Sequence, residues 1–131
     1  RITALLREQG HAVPQGRAAL VRCILESLAV AFADTARTAG ELAGRPLGVI
    51  HLVGGGALNP LLCQLVADRS ALPVLAGPVE ATAIGNVLVQ ARALDRARVL
   101  GEEVSLERLR ELVSGAFAPL RFEPRIVSAA R

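Results

Sequence analysis

Between Arg17 and Ala39, apolar side chains recur every three or four positions, at Leu20 or Val21, Ile24 or Leu25, Leu28, Phe32 and Ala36. Arg22, Glu26, Asp34 and Arg37 fall mostly on the other side. This period of 3.6 predicts a long helix, and a stripe this wide and Ala-rich predicts that it is largely buried against a sheet. Gly40, Gly44 and Pro46 are expected to close it. Ahead of it, Ile2 to Gln9 reads as a short helix stopped by Gly10, and His11-Ala12-Val13-Pro14 as a connector.

The rhythm changes at Gly48. The run Gly48 to Val53 (GVIHLV) is compact, apolar and rich in β-branched residues, which predicts a buried strand. Gly54, Gly55 and Gly56 follow as a loop, and Asn59 before Pro60 marks a helix start, with Asn as N-cap and Pro at the first helical position. That helix, Pro60 to Ser70, places Leu61, Leu62, Leu65 and Val66 on one face. Pro73 to Ala76 predicts a second short strand, and Gly77-Pro78 a turn. Glu80 to about Leu94 predicts a third helix with Ile84, Val87, Leu88 and Ala91 inward. The order strand, helix, strand, helix implies an α/β fold built on a parallel strand pair with a right-handed crossover and packed helices. After Gly101, Ser105 is placed to cap a last helix, Leu106 to Ala116, and the tail from Pro119 reads as extended.

Composition narrows the chemistry. The 131 residues are enough for one domain at most. Hydrophobic residues make up 52%, yet only three are aromatic, all Phe, so the core must come from close-packed Ala, Val and Leu. There is no Lys, which excludes a P-loop lysine, a Schiff-base lysine and the ATP-pairing lysine of protein kinases from this segment. There is no Met, so a chain starting at Arg1 is expected to be a piece of a longer protein. The net charge of +3 comes from arginines scattered among acids, the pattern of solvated helix faces and not of a nucleic-acid stripe. Pro46 to Ala67 carries no formal charge, but Gly54–Gly56, Asn59, Pro60 and Gln64 interrupt it and exclude a membrane-spanning helix. Cys23 and Cys63 stand in apolar helical contexts without ligand spacing, which predicts reduced core thiols in a cytoplasmic protein and no metal site.

The segment VIHLVGGGALNP carries the most chemistry. Three glycines between a strand and a capped helix let the backbone turn sharply, expose its amides and leave no side chain in a ligand's way. Such a loop is suited to cradling a nucleotide; the alternative is that the glycines only permit tight strand–helix packing. The dinucleotide fingerprint Gly-x-Gly-x-x-Gly fails, because Asn59 stands where its last glycine belongs. Glu80 opens a helix, where a carboxylate favours the dipole and can accept backbone hydrogen bonds. Gly85, one turn in, is explained by close packing. His51 reads as a hydrogen-bonded core histidine, His11 has no orienting neighbour, and Asp68 reads as structural. No nucleophile–base pair is visible, so no catalytic residue is assigned.

Taken together, RAALVRCILESLA, IHLVGGGALNPLLCQLVAD and LPVLAGPVEATAIGNVLVQA resemble the C-terminal part of the FGGY family of carbohydrate kinases, over about Ile2 to Phe122. The stretch Arg22 to Ser27, and Gly77 to Thr82 with Gly85-Asn86, tilt the resemblance towards members acting on L-rhamnulose. The resemblance implies an actin-like ATPase fold of two ribonuclease-H-like domains. Residues 1–131 would form the latter part of the second, ATP-binding domain. It implies transfer of the γ-phosphoryl of ATP to L-rhamnulose, giving L-rhamnulose 1-phosphate, with ATP and a ketose as partners. Gly54, Gly55 and Gly56 would lie against ATP, Asn59 would contact adenine or ribose, and Glu80 to Gly85 would form a neighbouring wall. The family's Asp base, most sugar contacts and the Mg²⁺ contacts would lie upstream. The alternatives are another ketose or polyol kinase of the family, such as a xylulokinase or fuculokinase, and a non-catalytic actin-like nucleotide-binding module.

Overall fold

The computed structural model describes residues 1–93 and 105–125. The predicted helix end at Leu94, the break at Gly101 and the tail beyond 125 lie outside the described residues. The elements run α1 (Ile2–Glu8), α2 (Gly16–Leu42), β1 (Ile50–Leu52), one 3₁₀ turn (Gly55–Leu58), α3 (Pro60–Ser70), β2 (Val74–Ala76), α4 (Ala81–Ala93), α5 (Leu106–Ala116) and β3 (Leu120–Phe122).

The strand order is β1-β2-β3. β1 and β2 pair in parallel, with Ile50 opposite Val74, His51 opposite Leu75 and Leu52 opposite Ala76, as the strand–helix–strand order requires. The extended tail is a third strand, antiparallel to β2, with Leu75 opposite Arg121. Pleating sends Leu52, Val74 and Ala76 to the same buried face and His51 to the other, where it is exposed. His51 is therefore not a core histidine; the alternation that buries Leu52 turns it outward.

Helix α3 is the centre of the core, flanked on one side by the sheet and on the other by α2. Two flanks bury more than one stripe. Leu62, Leu65 and Val66 point inward as predicted, joined by Cys63 and Ala67, while Leu61 is exposed. Complete burial of Val66 and Val74 contributes on the order of 1.5–3 kcal/mol each. Asn59 caps α3 by accepting from the Leu62 N–H at 3.0 Å, and Pro60 occupies the first helical position. Ser105 does the same for α5, accepting from the Arg108 N–H at 3.1 Å.

The long helix α2 corrects the prediction in two ways. It packs on α3, not flat against the sheet, and its buried residues are Ala29 and Ala33, with Leu25 at the edge of the core. Phe32, in the predicted stripe, remains 42% exposed, and Leu28 and Val21 are exposed beside it. At 100° per residue these large side chains form a face adjacent to the alanine seam. The small residues let the two helices approach, and the large ones are turned aside. Gly40 lies within the helix, and the left-handed stop is Gly44, at φ +62°. Across the seam, Glu26 accepts from Arg69 of α3 at 3.0 Å and from Arg22 at 2.6 Å, and these two arginines hold its carboxyl below the usual range.

The sheet's third strand is tied to α3 by Gln64 and Asp68. The Gln64 amide donates to the Glu123 carbonyl and to Asp68, both at 2.8 Å, and Asp68 also accepts from the Arg125 N–H at 2.8 Å. Burial pushes the Asp68 carboxyl up, but the Arg125 amide, Gln64 and the Arg125 charge outweigh it and hold the group below the usual carboxylate range. Asp68 is structural, as its sequence context suggests.

Candidate functional site

The carboxyl ends of the two parallel strands lead into two glycine turns that touch. The Leu52 carbonyl accepts from the Gly77 N–H at 2.9 Å, and the Pro78 carbonyl accepts from the Gly54 N–H at 3.4 Å. The start of α4 is thereby set beside the Gly54–Gly56 turn. In open α/β sheets, this end of the strands is where ligands gather.

The three glycines differ in what they do. Gly54 has φ +77° and ψ −164°, a region that only glycine occupies without strain. Gly56 has ordinary φ, but a Cβ there would stand 3.2 Å from a Leu52 methyl and 3.8 Å from a Leu62 methyl, so it is bare for packing. Gly55 has neither reason. Its φ lies outside the left-handed region, and a Cβ would meet nothing within 4 Å. The loop continues directly into the 3₁₀ turn, in which the Ala57 N–H donates to the Gly54 carbonyl at 3.0 Å and the Asn59 N–H to the Gly56 carbonyl at 3.1 Å. Among the described residues, the Gly55 and Gly56 N–H groups have no hydrogen-bond partner. Two adjacent free donors and an open Cα form a surface suited to a polar or anionic group.

Asn59 is brought to the same place, half-buried at the end of the turn. Its Oδ1 is committed to capping α3, which leaves the Nδ2 group as the donor available to a ligand. Glu80 is exposed, and among the described residues its carboxylate accepts no hydrogen bond; only its backbone carbonyl is used, by the Ile84 N–H at 2.9 Å. It does not cap α4. Gly85 is not explained by packing either, since a Cβ there meets nothing within 4 Å. It lines an open apolar cleft of about 540 Å³ between α4 and α5, with His51, Leu88, Leu109 and Phe117. In α4, Val87 is 65% exposed where the period put it inward, and Ile84, Leu88 and Ala91 are half-buried.

Two residues that shape the turn escaped the sequence reading. Pro78 supplies the carbonyl that anchors Gly54, and Cys63 lies buried under the turn with its Sγ 3.8 Å from the Gly56 and Ala57 carbonyl oxygens. The only signal for Cys63 was its place one turn after the cap. Cys23, expected in the core, is half-buried. No group of three or more His, Cys, Asp or Glu side chains converges among the described residues, and no helix there is long and apolar enough to cross a membrane.

Residues 2–94 match the model of the C-terminal domain of the FGGY family of carbohydrate kinases. A rhamnulokinase of Bacteroides thetaiotaomicron is 38% identical over 123 residues, covering 94% of this chain and 24% of that protein. Rhamnulokinases of Enterobacter sp. and Pectobacterium atrosepticum are 41% and 42% identical, covering 94% and 93% of this chain and 24% and 23% of theirs. The chain thus spans about a quarter of the length of these relatives.

Proposed function

This chain belongs to the FGGY family of carbohydrate kinases, and we propose that it is the latter part of the ATP-binding domain of a two-domain, actin-like kinase of the cytoplasm that phosphorylates L-rhamnulose. The observation that carries this reading is Gly55. Nothing among the described residues accounts for its missing side chain, and a nucleotide lying against the main chain would. Gly54 gives the turn its shape, Gly56 seats it, and the Gly55 and Gly56 amides offer two donors at the rim. The Asn59 Nδ2 donates to adenine or ribose while its Oδ1 keeps α3 capped.

The reaction would transfer the γ-phosphoryl of ATP to a ketose hydroxyl, giving L-rhamnulose 1-phosphate. Such transfer rests on positioning and charge stabilisation, and this segment's share is to fix the adenosine end of the nucleotide. Mg²⁺ bound with the phosphates would neutralise their charge. Its protein ligands, the general base and most sugar contacts would belong to the rest of the polypeptide, as the family resemblance implies. The relatives' shared name supports L-rhamnulose as the sugar.

The test is to assay the complete kinase carrying this segment with ATP and L-rhamnulose, D-xylulose or L-fuculose in parallel. The highest kcat/KM is expected for L-rhamnulose, and the isolated 131-residue chain is expected to turn over none of them. A preference for another ketose reassigns the sugar, and absence of phosphorylation in the folded complete protein overturns the kinase reading.

A further inference from the structure

Cys63 is the fourth residue of α3 and has no exposed surface. Its position ties the helix to the glycine turn twice over. The backbone N–H donates to the Asn59 carbonyl at 3.0 Å, and the Sγ stands 3.8 Å from both the Gly56 and Ala57 carbonyl oxygens. A thiol carries one proton, so the two sulfur contacts are one weak donor shared between two acceptors. Burial pushes the Cys63 thiol pKa up, which keeps the proton on sulfur and the group a donor.

The two acceptors are not equivalent. The Gly56 carbonyl already accepts from the Asn59 N–H. The Ala57 carbonyl faces Pro60 three residues on, and proline has no N–H to complete the next 3₁₀ bond. Among the described residues, the Cys63 thiol is the donor left to Ala57, which is itself buried. Leu52 and Leu62 pack against the inner side of Gly56 and fix the turn sideways, but hydrocarbon cannot satisfy a carbonyl.

We propose that Cys63 is a positioning residue for nucleotide binding: by holding the Gly56 and Ala57 carbonyls inward, it fixes the turn so that Gly55 presents its bare Cα and free amide outward. The proposal rests on the reading of Gly54–Gly56 as the surface that meets ATP.

The experiment uses the complete kinase, with ATP and sugar varied separately and the thermal midpoint recorded for each variant. Cys63→Val fills nearly the same space without a donor and is expected to raise KM for ATP about three- to fivefold, leaving KM for the sugar unchanged. Cys63→Ser restores a donor and is expected to bring KM for ATP back to within about twofold of the parent. A purely structural role would lower the midpoint and move both KM values or neither. If Cys63→Val does not fold, Cys63→Ala carries the same expectation. A folded donor-free variant with the parent's KM for ATP, or with equal rises for ATP and sugar, overturns the proposal. Gly55→Val measured alongside separates the two levels. If it raises KM for ATP and the Cys63 variants do not, only the positioning role falls; if it leaves KM for ATP unchanged, the nucleotide reading of the turn falls too.

Discussion

Valine at position 55 puts two methyl groups where the nucleotide is proposed to lie, and almost nothing else changes. Among the described residues, and apart from its chain neighbours and its own helix backbone, no atom lies within 4 Å of the new Cβ, and φ at Gly55 is outside the left-handed region. Folding stability should therefore stay within about 0.5 kcal/mol of the parent. The methyls hold the ligand off the main chain and screen the Gly55 amide, so KM for ATP in the complete kinase should rise at least about tenfold, about 1.4 kcal/mol, with sugar affinity nearly intact. The neighbouring glycines give the contrast. Gly54→Ala forces a side chain into φ +77° and ψ −164°, at about 1–3 kcal/mol. Gly56→Ala presses a Cβ to 3.2 Å from the buried Leu52 methyl, at about 1 kcal/mol. Both should lower the thermal midpoint, whereas Gly55→Val should lower nucleotide affinity at an unchanged midpoint. Coupled ADP-release kinetics over an ATP series, with differential scanning calorimetry on the same samples, measure both quantities. A folded Gly55→Val kinase with the parent's KM for ATP would refute the assignment of this turn.

Asn59→Asp keeps an oxygen for the Leu62 N–H and should preserve the α3 cap, yet it removes the Nδ2 donor. It is expected to raise KM for ATP severalfold with little loss of stability, whereas Asn59→Ala should also cost about 1 kcal/mol of folding free energy in urea melts. Asp68 and Glu26 both have lowered carboxyl pKa values in the fold. Their contribution is fully present above the unfolded carboxylate range near pH 4 and is lost as pH falls through the folded values. The urea midpoint should therefore hold between about pH 7 and pH 5 and fall below about pH 4. Asp68→Ala should cost about 1 kcal/mol at neutral pH and flatten that acid limb, and an unaltered limb would remove Asp68 from the account.

Much of the fold is legible in the sequence because its signals are local. The start of α3 is written in two consecutive residues, Asn59 and Pro60, and the start of α5 in Ser105. The parallel pairing of β1 and β2 follows from their order around one helix. The tail was legible as extended but not as paired. Its place on β2 depends on the Gln64 and Asp68 contacts, which reach across more than fifty residues.

The candidate turn divides in the same way. Its glycines and its cap identify it in sequence, and the family resemblance rests on those same residues. What each glycine is for is not in the string GGG: a torsion angle at Gly54, a leucine methyl at Gly56 and open space at Gly55 decide it. Nor does local pattern reveal the Pro78 carbonyl, which reaches the turn only when β1 and β2 have paired, or the Cys63 thiol, whose contact six and seven residues back to the turn follows no helical period. Periodicity names the residues that share a helix face, but it does not choose between two apolar faces. On α2 the alanine seam docks and Phe32 does not, because only small side chains admit α3 at packing distance. Capping and period act within a turn or two of chain and belong to the sequence; docking, burial and the filling of space depend on partners remote in the chain, and only the tertiary structure decides them.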